Sequence, residues 1–283
     1  MVEYMYAGGG KWHNKVSRSG GVISFASLDV FAGLFAAAGL IQLYKANGKT
    51  EDLELAKKSI YTALREYNSR QYEGVVIEVD FPGKIDTIGL RSQGHSMVIV
   101  WLLTELLEFE NDAKLEKIQA KHVEYLSNNF WHSYYGISNE YLNHEYETFD
   151  PADKYMFIGH TIEVQWMLLH EALRINNRRM FNIIKDRIHH LMEICWDKQY
   201  TGLYSEGFIV NYNSKKGPVK SYKTMWCQCE GLIGSMTIFE HSGQAWAKQW
   251  YERILEFTLK TMVKKQHGVW RQAVDRRGRD IKR

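Results

Sequence analysis

Three short segments concentrate the side chains that could move protons or grip a polyhydroxylated ligand. They are Arg91-Ser92-Gln93-Gly94-His95-Ser96-Met97, Gly159-His160-Thr161-Ile162-Glu163-Val164-Gln165-Trp166 and Lys223-Thr224-Met225-Trp226-Cys227-Gln228-Cys229-Glu230. In the second, His160 and Glu163 stand three apart, which places both on one face of a helix. A carboxylate beside an imidazole holds its tautomer and raises its basicity. That arrangement suits a general base working near neutral pH. The same pair also reads as a helix start with a hydrogen-bonded imidazole. His95 has an equivalent place one segment earlier; it is a second acid–base group, a hydroxyl ligand or a helix-start histidine. Gln228 and Glu230 stand on an otherwise apolar stretch. A buried carboxylate needs partners, which a ligand hydroxyl or Arg91 would supply. Trp166 and Trp226 either stack on a ring-shaped ligand or fill the core. His144 belongs to the polar, aromatic loop Asn139–Tyr146, which either covers a pocket or lies on the surface.

Helices must position these residues. The periodicity predicts helices over 28–47, 51–70, 93–110, 113–130, 158–176, 178–195, 223–242 and 244–263, paired by short turns. The first helices of the pairs begin near 28, 93, 158 and 223, a constant interval that marks a helical-hairpin repeat. Long loops follow each pair, and long loops in a compact domain are usually functional. Pro82, Pro151 and Pro218 all fall in connections, where a missing N–H does little harm. The first helices are rich in small and apolar residues, as in Phe31–Leu40; the second carry charge, as in Glu51–Lys58. An all-round apolar helix is buried and an amphipathic one is peripheral. The expectation is an all-α fold, an (α/α)6 toroid of inner and outer helices. Its inner-helix N-termini ring a central pocket, the default place for a site. Four hairpins make an incomplete ring, so residues 1–283 are expected to form one toroidal domain truncated at both ends.

Hydrophobic residues make up 45% and charged residues 24% of the chain, which supports a folded core rather than disorder. The net charge of +3 falls short of a nucleic-acid-binding footprint. The basic tail Arg276–Arg283 reads as solvated surface. The three cysteines, Cys195, Cys227 and Cys229, show no framework spacing, which points to reduced thiols and a cytoplasmic setting. We find no secretory signal pattern and no apolar run reaching the roughly 18 residues that span a bilayer. No metal-ligand spacing stands out, and Gly8-Gly9-Gly10 lacks the context of a phosphate loop. His189-His190 fall on an outer helix and should face solvent; His267 is given no role.

With these residues in place, the chain resembles the N-acylglucosamine 2-epimerase family, which includes cellobiose 2-epimerases and mannose isomerases. Gly159–Trp166 is similar to the family's Gly-His-x-x-Glu-x-x-Trp motif, and Lys223–Glu230 to its Lys-x-x-Trp-x-Gln/His-x-Glu motif. Gly94-His95-Ser96-Met97 falls where members carry another pocket helix. Ser27-Leu28-Asp29-Val30-Phe31 resembles the Ala-Asp-x-Phe helix start. The segment from His267-Gly268-Val269-Trp270 to Asp275-Arg276-Arg277-Gly278 looks like a strand pair near the family's C-terminus. The resemblance implies an (α/α)6 barrel and cofactor-free epimerisation of a free reducing sugar. Interconversion of N-acetylglucosamine and N-acetylmannosamine is the lead expectation. A histidine takes the proton from carbon 2 and a second returns one to the opposite face; isomerases return it to carbon 1. His160 matches one histidine, with Glu163 as its supporting carboxylate. The family's second histidine lies past the Asp275–Gly278 turn, in a Phe-His-x-x-Arg segment that this sequence lacks, and His95 is the candidate stand-in. Arg91, His144, Trp166, Trp226, Gln228 and Glu230 are the candidate sugar-binding residues. A homodimer is an open expectation. The competing readings are an aldose–ketose isomerase, a glycoside hydrolase, which needs paired carboxylates, and an inactive carbohydrate-binding remnant.

Overall fold

The structure is a computed structural model that describes residues 5–13, 15–23, 30–73, 85–150, 152–208, 221–266 and 268–281. Ser27, Leu28 and Asp29, the three prolines and His267 lie outside the described residues. Eight α-helices occur among those described: α1 (Val30–Asn47), α2 (Thr50–Tyr67), α3 (Gln93–Leu107), α4 (Ala113–Glu124), α5 (Ile158–Arg174), α6 (Arg178–Cys195), α7 (Met225–Ser242) and α8 (Ala245–Thr261). They match the predicted hairpins. The main boundary difference is that α4 widens into a π-turn at Tyr125–Asn129.

Within each hairpin the two helices pack together, and α1, α3, α5 and α7 also pack in sequence, each on the next. The odd-numbered helices therefore form a continuous inner row with the even-numbered ones outside, the toroidal order predicted. Leu34, Ile41, Ile60, Leu103, Leu168, Ile188 and Ile254 are fully buried in one core that runs through all four hairpins. Burying each such side chain contributes about 1.5–3 kcal/mol.

The expected all-round burial holds for α3, which is flanked by inner helices on both sides. It fails at the two ends of the row. Phe35 and Leu43 of α1 and Ile233 of α7 are exposed, because among the described residues each end helix packs on an inner neighbour on one side alone. Helix α1 is also long and apolar enough to cross a membrane by length and composition, which corrects the count of apolar runs. In the structure it packs on α2 and α3.

Short antiparallel strands fix the loops at the N-terminal ends of the inner helices. Strand β3 (Arg91–Ser92) runs straight into α3 and pairs with β6 (Tyr141–Leu142), Arg91 opposite Leu142. Strand β7 (Tyr155–Phe157) runs into α5 and pairs with β8 (Glu206–Phe208). Strand β9 (Lys223–Thr224) runs into α7 and pairs with β12 (Ala273–Val274). The remaining strands are β1 (Tyr6–Gly8), β2 (Lys11–Trp12), β4 (Trp131–His132), β5 (Ile137–Ser138), β10 (Val263–Lys264) and β11 (Val269–Trp270). The expected C-terminal strand pair is thus divided: β11 pairs with β10 and β12 with β9.

Helix-start chemistry is local. Asp112 caps α4 at the N–H groups of Lys114 and Leu115, Asn177 caps α6, and Thr224 caps α7. Helix α7 ends at Gly243 with φ of 66°, the left-handed stop that glycine adopts without strain. His189 does not simply face solvent; its ring stacks on Trp246 with centroids 4.1 Å apart.

Candidate active site

The loop residue Glu140 organises the site. It is fully buried. Its backbone N–H donates to the Tyr155 carbonyl at 2.9 Å, and its own carbonyl accepts from the Gln93 N–H at 3.0 Å. One residue thereby joins the start of α3 to the strand that leads into α5. Its carboxylate accepts from Ser92 Oγ at 3.2 Å and Gln93 Nε2 at 2.7 Å. Both carboxylate oxygens lie 3.0 Å from His160 Nδ1. This contact places the imidazole proton on Nδ1 and leaves the Nε2 lone pair available as a base. Burial works against the imidazolium, but the charge and hydrogen bond of Glu140 outweigh it, so the His160 pKa is raised.

The supporting carboxylate is therefore Glu140, not Glu163. The helix start turns the His160 ring back toward the loop, while Glu163, a turn further on, is hydrogen-bonded to Trp226. Burial and the nearby charge of Glu230 push the Glu163 carboxyl up to about 7. Glu230 is 7% exposed and accepts the Trp166 indole N–H at 2.7 Å. Its buried partner is thus Trp166, not Arg91. Burial raises the Glu230 pKa, against hydrogen bonds from Trp166 and Trp226 and the charge of His160. Trp226 meets His160 edge-on at 5.1 Å. This approach needs Gly159, where a Cβ would stand 2.5 Å from the Trp226 ring.

The other candidates divide. Trp166 is buried in the core with its N–H committed, and does not offer an open stacking face. Arg91 is sealed in: it donates to the Tyr67 carbonyl, lies 2.8 Å from His144 Nδ1, and packs over the Tyr67 ring at 4.3 Å. Its charge serves the loop layer. His144 is half-buried, and burial, with Arg91 and Arg70, lowers its pKa. His95 is stacked on Phe31 at 4.0 Å with Nε2 2.9 Å from the Tyr72 hydroxyl. Burial, reinforced by Arg91, His160 and His122, brings its pKa to about 3, so it is a neutral imidazole at physiological pH.

Gln228 has no exposed surface. Its amide accepts the Leu203 N–H and donates to the Leu203 carbonyl, both at 2.9 Å, and donates to the Thr224 carbonyl at 3.1 Å. This is a clamp on the backbone, and Gln228 reaches no ligand from there. Gln228→Ala is expected to lower unfolding free energy by about 1–3 kcal/mol, the cost of stranding buried backbone groups, with KM unchanged. Chemical denaturation and initial-rate kinetics check this; a raised KM at wild-type stability would restore the ligand role.

Helical spacing could not reveal Glu140, because its partners come from two other segments. The signal was its place in the polar loop singled out for His144.

A row of helical hairpins with a carboxylate-held histidine at the inner-helix starts is an α/α-toroid type of fold with a candidate acid–base centre. The family model described as N-acylglucosamine 2-epimerase (GlcNAc 2-epimerase) matches residues 6–283, and the chain belongs to that family. A cellobiose 2-epimerase from Eubacterium cellulosolvens is 25% identical over 154 residues, 54% of this chain. The matched part spans 36% of that protein. The solved cellobiose 2-epimerase from Bacillus thermoamylovorans B4167 superposes with a TM-score of 0.81 at 19% identity, covering 100% of this chain and 73% of that one. The enzyme from Spirochaeta thermophila DSM 6192 gives 0.81 at 15% identity, covering 99% and 70%. The structural likeness confirms the (α/α)6-type fold.

Proposed function

We propose that this protein is a sugar 2-epimerase that interconverts N-acetylglucosamine and N-acetylmannosamine, or a related free reducing sugar, through carbon 2. The observation that carries the reading is His160, held at Nδ1 by Glu140 with Nε2 left as a base. Nε2 takes the C2 proton of the open-chain aldehyde. The C–H electron pair becomes the C1=C2 bond, and the carbonyl oxygen becomes an enediolate oxygen. Return of a proton to the opposite face of C2 gives the epimer. Moving the O2 proton to O1 and delivering the carbon proton to C1 gives the ketose; Glu163 and Glu230, whose charges act on His160, are carboxyls that can carry the O–H proton, which favours this isomerase outcome as a second reading. Residues 1–283 act as one toroidal unit in this reading, and its three free cysteines suit a cytoplasmic setting.

The test is proton exchange at C2 in deuterated water, followed by NMR with N-acetylmannosamine, mannose and cellobiose, the last because relatives bear its name. Exchange is expected, and His160→Ala should reduce it by about 10²–10⁴-fold, the usual contribution of a general base. A folded protein that exchanges none of the three, or that exchanges equally well as His160→Ala, would overturn the reading.

A further inference from the structure

Positive charge is concentrated at one corner of the molecule, away from His160. Residues 260–283 hold nine lysines and arginines against Asp275 and Asp280, a net charge of +7 in a chain of net +3, so the rest of the chain is acidic at −4. Three of these cations meet carboxylates: Arg271 lies 2.7 Å from Asp280, Arg279 2.7 Å from Asp275 and Arg276 2.9 Å from Asp197. Lys260, Lys264, Lys265 and Arg277 have no carboxylate partner among the described residues. The three lysines line one groove of about 570 Å³ between the last turn of α8 and the β10–β11 hairpin, where Arg271 and Asp280 are the other charged groups. The same corner exposes apolar side chains: Leu259 at 49%, Val269 at 51%, Trp270 at 43% and Ile281 at 48%. Val263 of the groove stands opposite Trp270 in the hairpin, and Lys264 opposite Val269. One strand thus ends in free ammonium groups, and the other carries an exposed valine and indole.

We propose that this corner is a peripheral docking surface for an anionic lipid bilayer, with the β10–β11 hairpin and the end of α8 as the contact. The mixture of side chains selects among polyanions. A nucleic acid rewards cations and stacking rings, but Leu259, Val269 and Ile281 gain nothing from its phosphates. An acidic bilayer rewards both kinds of group. Its negative surface potential attracts lysine and arginine. Indoles settle at the boundary between lipid and water, and aliphatic side chains leave water for the edge of the acyl region. The net acidic remainder of the chain is repelled by the same potential, so this corner faces the lipid and the rest of the protein faces away. The contact is a surface one and spans nothing. It goes beyond the epimerase reading and does not depend on it.

The experiment is co-sedimentation of the full chain with phosphatidylcholine vesicles, made with and without phosphatidylserine. Binding is expected only with phosphatidylserine. It should be lost in about 1 M salt, where the Debye length shrinks to about 3 Å. A lysine at such a surface is worth about fivefold in affinity, so the double variant Lys264→Gln, Lys265→Gln should bind about thirtyfold more weakly. Brominated lipid reports the apolar side of the contact. It should quench tryptophan fluorescence in the wild type, and Trp270→Phe should abolish that quenching. All three positions are at the surface or half-exposed, and thermal unfolding checks that each variant is folded. Equal binding to vesicles with and without phosphatidylserine would overturn the proposal, as would wild-type affinity in the double lysine variant. Quenching that survives Trp270→Phe would remove the hairpin from the contact and overturn it too. Binding to a short DNA duplex, with none to either kind of vesicle, would overturn it in favour of a nucleic-acid partner.

Discussion

Glu140→Gln is expected to cut kcat by about 10²–10⁴-fold while leaving KM within a few-fold, the behaviour of a residue that acts through the base it holds. The substitution keeps the volume and an acceptor for Ser92 or Gln93, whose donors lie at 3.2 and 2.7 Å. It removes the charge that favours the His160 imidazolium, and offers Nδ1 an amide that can equally well donate. Two readouts separate positioning from general damage. The acidic limb of the pH–rate profile reports the loss of a proton from His160, whose pKa is raised in the wild type. Without Glu140, burial prevails and the limb should move to lower pH. The linked stability has a definite sign. A histidine with a raised folded-state pKa contributes stability that is fully present below its unfolded value of about 6.5. That contribution is lost as pH rises through the higher folded-state value, so the gap in Tm between wild type and Glu140→Gln should narrow toward alkaline pH. A near-wild-type kcat with an unmoved limb would remove Glu140 from the mechanism.

What the sequence could and could not reveal follows from how each residue is held. The hairpins were legible because burial repeats with helical period and glycines sit where helices touch or stop. His160 and Glu163 were legible because one helical turn relates them. Glu140 was hidden because Gln93, 47 positions upstream, and His160, 20 positions downstream, meet it only after β3 pairs with β6 and the loop joins β7. The candidates that face away from the inner-helix starts share a cause. Arg91 belongs to a strand that precedes a helix and turns into the loop layer, as the helix-start residue Lys223 does. Gln228, a turn inside α7, points back at the Leu203 backbone. A polar residue near a helix start faces either the pocket or the loop layer. Which it does depends on the register of the strand before it, which spacing along the chain does not encode.

The loop layer also carries the largest expected effect on stability. Lys223 has no exposed surface, and its ammonium lies 3.1 Å from Asp197, which is also nearly inaccessible. Arg276 completes the group with contacts of 2.9 and 3.2 Å to the same carboxylate. Asp197 also accepts the backbone N–H groups of Gln199 and Tyr200 at 3.0 and 3.2 Å. Asp197→Ala would leave the Lys223 charge buried beside the carbonyls of Thr201 and Arg276 and the rings of Tyr204 and Phe257, without the carboxylate that now neutralises it. Breaking a buried pair in this way costs about 3–5 kcal/mol, a fall in Tm on the order of 10 °C. Burial alone would raise the Asp197 pKa, but the contacts with Arg276, Lys223 and Gln199 bring it down to about 2. A depressed carboxylate contributes stability above its unfolded value of about 3.9, which is lost as pH falls toward 2. Thermal unfolding across pH should therefore show a large deficit for Asp197→Ala at neutral pH that shrinks between about pH 4 and 2. The consequence reaches the site, because Lys223 opens the strand that leads into α7, the helix that carries Trp226 and Glu230. Loosening this clasp should displace Trp226 and Glu230 before it touches Glu140, which is held by Ser92 and Gln93 at the start of α3. A variant that melts with the wild type would show that the ion cluster is dispensable, and that β9 pairing with β12 alone sets where α7 begins.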